Sequence, residues 1–500
     1  MKKYSMLKGA VCIAALTTAQ AAYADISPEE VLDNWKQQLS SYGDGVVTFG
    51  NEVRNGDTLT VESLTFDFDE DGVQFSGQID AIDLTENGDG TVTVTIPEKA
   101  TFMFTDSTTQ TGSMATIDLT QIGLKMLISG TVDNQIVETA ANQIGLTLVD
   151  AMENGVAVPA EFSMNINDVY VYNEVAMGDL IRSDNTTTAG SVDLIAAITA
   201  DGTTTDLSGQ VTQLELSGYS VMPATYQQDD FSGALMDGFD VATTLSTGPS
   251  TIIATVEQAD GTTSVATSAE SGQMSMSVNK DGFEISASST GRAFQVMGPG
   301  APMPVNLSVE SYGLNFAMPL SATDEPAPFA AGIDLVGLDI SDDIWAIVDG
   351  ANLLPHDPIT VQAQLSGTGT LFMDLTDPAQ MAALDQGAIP GELNSASLDT
   401  LLISVAGASI DATGAFTFDN ADMVTFGGFP RPVGQITAHG QGLNGLMDKL
   451  GMMGLPISEQ IAGFRMMLGM FTTAVGEDEV TTTLEINDTA QVLLNGNRIQ

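Results

Sequence analysis

The sequence predicts a mainly β chain with some α: an extended, curved antiparallel sheet of hairpin meanders, with an N-terminal helix and a C-terminal helical hairpin packed on it. Two observations carry this prediction. From about Val47 to Pro319, short segments alternate apolar with polar residues and are separated by Asn-Gly or Asp-Gly pairs. These pairs stand at 55–56, 71–72, 87–88, 201–202, 260–261 and 281–282. Such dipeptides supply the positive φ that two-residue hairpin turns need. Outside that region, apolar residues recur instead at helical spacing.

The elements follow in order. Lys2, Lys3 and Lys8 precede the apolar run Gly9–Leu16, and Ala22-Tyr23-Ala24 forms a small-x-small signal ahead of Asp25. Residues 1–24 are therefore expected to be a signal peptide cleaved after Ala24, which places the mature protein in the periplasm. The one cysteine, Cys12, lies in the middle of that run and not in a lipoprotein box, so the mature chain is left without disulfide or thiolate chemistry. Residues 25–46 hold the N-terminal helix. Ser27 caps it, Pro28 takes its first turn, Glu30 completes a capping box, and Val31, Leu32, Trp35, Leu39 and Tyr42 form its apolar stripe.

Residues 47–320 form the β-rich region. Its clearest hairpin sets Met274, Met276 and Val278 against Phe283, Ile285 and Ala287 across Asn279-Lys280-Asp281-Gly282, with one apolar face on each strand. Proline-rich stretches at 298–304 and 324–328 read as loops. Residues 321–500 then form an α+β region that continues the sheet. Ser341 caps a helix through Leu354, Asp377-Pro378 opens a short helix closed at Gly387, and Leu401, Ile403 and Val405 answer Ile410, Ala412, Phe416 and Phe418 in a second hairpin. The late helical hairpin runs over about 443–453 and 458–473, joined at Gly454-Leu455-Pro456, before a strand pair at 480–486 and 490–494. No stretch is long and apolar enough for an integral membrane span; Ile461–Val475 is the nearest and contains Arg465.

The chain carries 65 acids against 14 bases, a formal net charge of −51 that becomes −54 once the three signal lysines are gone. Such a field repels nucleic acid and anionic headgroups, and it suits solubility in a cation-rich medium. With 43% hydrophobic residues the chain nonetheless has ample material for a core.

Few residues point to chemistry. Asp67, Asp69, Asp71 and Gly72 resemble the start of a calcium loop, but its twelfth position is Gln78 where a bidentate glutamate is required. A strand with a polar face is the plainer reading, and calcium binding is a lesser alternative. His356 and His439 are the only histidines, and no second one stands at ligand spacing from either. No Gly-x-Ser-x-Gly elbow, phosphate-cradling loop or dinucleotide fingerprint occurs. No cofactor is implied, and the expectation is a protein that is not an enzyme.

Methionine is the remaining anomaly. Met447, Met452, Met453, Met466, Met467 and Met470 crowd the late hairpin. Thioethers can bind Cu(I), but their spacing beside Phe464, Leu468 and Phe471 reads first as packing against a sheet. It also reads as a soft contact surface for an apolar ligand such as a lipid tail, because methionine adapts its shape. Met447, Met452, Met453, Phe464, Met467 and Phe471 are the candidate residues for that surface.

Leu338-Asp339-Ile340-Ser341, Ile344-Trp345, Asp349, Leu353 through Pro358, Leu365-Ser366-Gly367 and the ending Val492 through Gly496 resemble a Gram-negative envelope family known as domain of unknown function 2125. That family is distantly similar to the AsmA-like group. The resemblance is loose from about Val47 and more specific from Ile333 onward. It implies a periplasmic β-rich protein related to long curved sheets associated with lipid movement or outer-membrane assembly, and it carries over no catalytic residue. This chain differs from the larger group in lacking a retained N-terminal anchor. Two functions are thus expected to compete: a non-enzymatic envelope protein that binds a lipid or other apolar ligand, or a structural protein with a filled core and an envelope-protein partner.

Overall fold

The computed structural model describes residues 26–40, 47–70, 72–106, 112–131, 133–224, 226, 230–299, 303–384, 386–453 and 457–499. The expected signal segment with Cys12, Tyr42 of the expected N-terminal stripe, Asp71 of the calcium-like run and the Gly454-Leu455-Pro456 joint lie outside the described residues. Strands dominate, as expected, and the pairings described below are all antiparallel. The chain divides into two compact units. One comprises Met1–Thr225, Val241–Thr267 and Gly298–Gly300, and the other Tyr226–Asp240, Ser268–Met297 and Ala301–Gln500.

The first unit is organised around helix α1 (Pro28–Ser40). Its capping box forms reciprocally: Ser27 donates from N–H and Oγ to Glu30 Oε2 at 2.9 and 2.8 Å, and the Glu30 N–H donates to Ser27 Oγ at 3.3 Å. The apolar stripe of α1 is fully buried, with Val31, Leu32, Trp35 and Leu39 only 0–3% exposed among Leu59, Val61, Leu64, Phe66, Ile82, Leu84, Val92 and Val94. Each such aliphatic side chain contributes roughly 1.5–3 kcal/mol of burial. Phe75 stacks on Phe102 at 5.4 Å and meets Phe104 at 4.8 Å, which ties neighbouring strands across the core. Beyond this core the strands lengthen. Leu180–Ala200 and Thr203–Pro223 pair along their whole length except at Gly190 and Gln213, across a turn in which Asp201 (φ 51°) and Gly202 (φ 78°) both adopt the left-handed conformation that Asp-Gly favours.

In the second unit nine strands pair in succession: Ser271–Asn279, Gly282–Met297, Val305–Met318, Ala327–Ile340, Ile359–Leu371, Gly391–Val405, Ala408–Asp419, Arg431–Gln441 and Glu479–Ile486. Directly paired residues share a face of a sheet. One cross-strand row therefore reads Met274, Ala287, Leu314, Ile333, Ala363, Leu401, Ala412, Ala438. The row beside it reads Tyr312, Leu335, Val361, Ile403, Ile410, Gly440, Val480. The opposite face is polar, and there the amides of Gln362 and Gln364 donate to the two oxygens of Asp334 at 3.0 and 2.7 Å.

Among the described residues five helices accompany this sheet: α2 (Phe231–Met236), α3 (Asp342–Val348), α4 (Pro378–Leu384), α5 (Leu443–Met452) and α6 (Ser458–Phe471). The short α2 has no counterpart among the sequence expectations. Helix α3 stops well before Leu354, and Ser341 makes no side-chain cap bond. The physical reason lies in Asp349, whose N–H closes the last turn on the Trp345 carbonyl at 2.7 Å while its Oδ2 accepts the Leu354 N–H at 2.6 Å. That second bond folds the chain back where a longer helix would have run on.

Candidate functional site

The helices α5 and α6 lie over the strand pair Gly391–Val405 and Ala408–Asp419 and leave an open groove of about 390 Å³ between them. Its floor is Ile403, Val405, Ala408, Ser409 and Ile410. Leu443, Leu446, Met447 and Leu450 of α5 form one wall, and Ile457, Gln460, Ile461 and Phe464 at and within the start of α6 form the other. Eleven of these thirteen residues are apolar and none is charged. The volume falls in the range of roughly 300–1,000 Å³ usual for small-molecule sites.

The groove opens onto a surface of the same character. Ile403 and Ile410 lie in the row that passes through Tyr312, Leu335 and Val361. Farther along that face Met274, Leu314 and Ile333 remain 46, 47 and 56% exposed. Isolated exposed aliphatics are ordinary, but a cross-strand row of them marks a contact surface.

Two devices fix the α5 wall. Gly442 caps α5 at φ 70°, and a Cβ there would collide with the Gly407 carbonyl of the hairpin turn below. Asp478 then satisfies the free N-terminal donors: its Oδ1 accepts the Asn444 N–H at 2.9 Å and its Oδ2 the Gly445 N–H at 2.8 Å. Burial pushes the Asp478 carboxyl up, but these N–H donors outweigh it and hold the group below its ordinary 3.8. A depressed carboxylate stabilises the fold above its unfolded pKa and loses that contribution as pH falls through the folded value. Asp478→Ala is therefore expected to cost about 0.5–2 kcal/mol at pH 7, by urea unfolding, as for loss of a helix cap. The difference from wild type should begin to shrink as pH falls toward 3.8 and go on shrinking below it, through the lower value at which the folded wild-type carboxyl protonates.

Arg465 of α6 ties the two helices together: it pairs with Asp448 of α5 and donates to the Asn444 carbonyl at 3.5 Å. Helix α5 also meets a small core of Trp345, Leu354 and Ala406, against which Leu446 and Leu450 of the wall and Met453 pack. His356 lies flat on Trp345 at 4.6 Å, with its Nδ1 3.3 Å from Asp342 Oδ1. Hydrogen bonds led by the one from Leu354 N–H keep the Asp349 carboxyl below its usual range. The Leu-Pro-His-Asp-Pro turn thus supports the groove from below.

The six candidate residues separate in space. Met447 and Phe464 line the groove, and Met453 packs on the Trp345 core. Met452, Met467 and Phe471 stand 64, 49 and 47% exposed, as do Met466 and Met470 at 64 and 65%. Sequence reasoning missed the floor as part of a site, although the alternation of Leu401, Ile403 and Val405 was its visible signal. Of the calcium-like run, Asp67 and Asp69 lie on the strand Leu64–Glu70, and Asp67 Oδ1 accepts the Gln74 amide at 3.2 Å. Among the described residues no three His, Cys, Asp or Glu side chains converge on a metal-sized space, and no helix is long and apolar enough to cross a membrane. Compared with protein-family models and with characterised proteins, the chain matches none.

Proposed function

We propose that this is an exported, non-enzymatic envelope protein that binds the alkyl portion of a lipid or similar apolar ligand in the groove beneath α5 and α6. The observation that supports this reading most is the groove itself, uncharged and apolar on floor and both walls, continuous with an exposed apolar row of the sheet. The site holds no pairing of nucleophile, base and oxyanion donor that would favour catalysis over binding. The resemblance to periplasmic sheet proteins associated with lipid movement agrees with the same reading.

A second reading, a structural protein with a filled interior, is favoured by the first unit. Its aromatic and aliphatic core is tightly buried, and the cavity beside Trp35 measures only about 100 Å³. Binding of N-phenyl-1-naphthylamine decides between them, because its fluorescence rises in an apolar site. Saturable binding is expected, and native mass spectrometry of protein prepared from an exporting host should show lipid adducts on a chain beginning at Asp25. Absence of both probe binding and adducts would leave the filled-core reading. A chain still carrying residues 1–24 would overturn export by cleavage.

A further inference from the structure

We infer that the groove selects a single alkyl chain bearing an uncharged head group over the corresponding fatty-acid anion; this rests on the alkyl-binding reading above and specifies its ligand. The lining supplies the first reason. It holds no charged side chain, and its polar wall residue, Gln460, hydrogen-bonds to no other described residue; Ser409 alternates with Ala408 and Ile410, so it gives backbone to the floor while its hydroxyl faces the other side of the sheet. An amide left uncommitted in an apolar wall can donate to and accept from an alcohol or ester, and it offers no countercharge to a carboxylate.

The surroundings supply the second reason. Helices α5 and α6 carry two basic residues, Lys449 and Arg465, and Arg465 is engaged by Asp448. Against them stand Asp448, Glu459, Glu477, Asp478 and Glu479 on these helices and the adjoining turn. Residues 301–500 as a whole hold 24 acids and 4 bases. An anionic head group brought to this rim is repelled by the field, and its desolvation finds no compensating charge in the lining. Volume supplies the third. If a methylene takes the ~30 Å³ that a water occupies, the groove seats a dozen or so such units, the length of one medium alkyl chain.

The test is competition with N-phenyl-1-naphthylamine on the whole protein at pH 8, using 1-monodecanoylglycerol and decanoate, two ligands of equal chain length and different charge. At low salt the monoglyceride is expected to displace the probe at a concentration at least about tenfold lower, a gap that narrows near 0.5 M NaCl as screening shortens the field. Gln460→Leu should bring monoglyceride affinity down toward that of decanoate. Decanoate binding as tightly as the monoglyceride at low salt, or monoglyceride affinity unchanged by Gln460→Leu, overturns this inference and leaves alkyl binding standing. Probe that neither ligand displaces overturns alkyl binding in the groove, and the inference with it.

Discussion

Replacing Trp35 with alanine is expected to destabilise the first unit by about 3–5 kcal/mol, the range for deleting a large aromatic from a packed core. Trp35 is 2% exposed at the centre of the α1 stripe, among strands whose own apolar residues are as deeply buried. The indole ring fills space that neighbouring Ile79, Ile82 and Met126 also line, beside a cavity of about 100 Å³. Removing it enlarges that void, and the surrounding strands are tied by the Phe75 and Phe102 stack, so they can collapse onto it only in part. Trp35→Phe should cost far less, roughly 1–2 kcal/mol, since it retains a ring and removes an indole N–H that is buried without a partner among the described residues. Urea unfolding followed by circular dichroism measures both. An alanine variant within about 1 kcal/mol of wild type would mean that α1 does not organise this core.

Such a helix was legible from the sequence because its determinants are local. The capping box needs Ser27 and Glu30 three residues apart, and the burial of Val31, Leu32 and Trp35 follows from 3.6-residue spacing. The hairpin turns were legible for the same reason: Asp201 and Gly202 require left-handed backbone, which few other pairs supply. Helix α3 shows where local reading stops. Ile347 and Val348 continue the helical periodicity, but they are 67 and 58% exposed, and a side-chain bond from Asp349 ends the segment. Nothing in the spacing of apolar residues signals that bond.

The site was half legible for a related reason. Methionine crowding drew attention to α5 and α6, yet only Met447 and Phe464 of the six candidates face the groove. The floor depends on which residues meet across strands, and register between strands distant in sequence is not written in either strand alone. The pairing of Gly391–Val405 with Ala408–Asp419 even shifts between Leu398 and Leu401, a bulge that alternation by itself would misplace. The excess acids, conspicuous in the composition, act by their absence from the lining.

That absence makes a single introduced carboxylate the most decisive change to the site. Ile410→Asp is expected to weaken N-phenyl-1-naphthylamine binding by about a hundredfold or more, because a ligand seated there would bury a charge with no partner. Ile410 lies opposite Ile403 on the groove floor, so its side chain is directed at the ligand while its backbone keeps the same strand partners. Ile410→Val removes one methylene and should change affinity by less than about fivefold. Thr413→Asp places the same charge on the opposite face of the same strand, where Asp411 already stands, and should leave binding at the wild-type level. The loss should also reverse in part on acidification, since an apolar wall raises the pKa of the introduced carboxyl and neutralises it first. Emission from Trp345, in a Trp35→Phe background where it is the sole tryptophan, reports whether the α5 wall stays in place. Unchanged probe affinity in Ile410→Asp with that emission intact would place binding elsewhere than the groove.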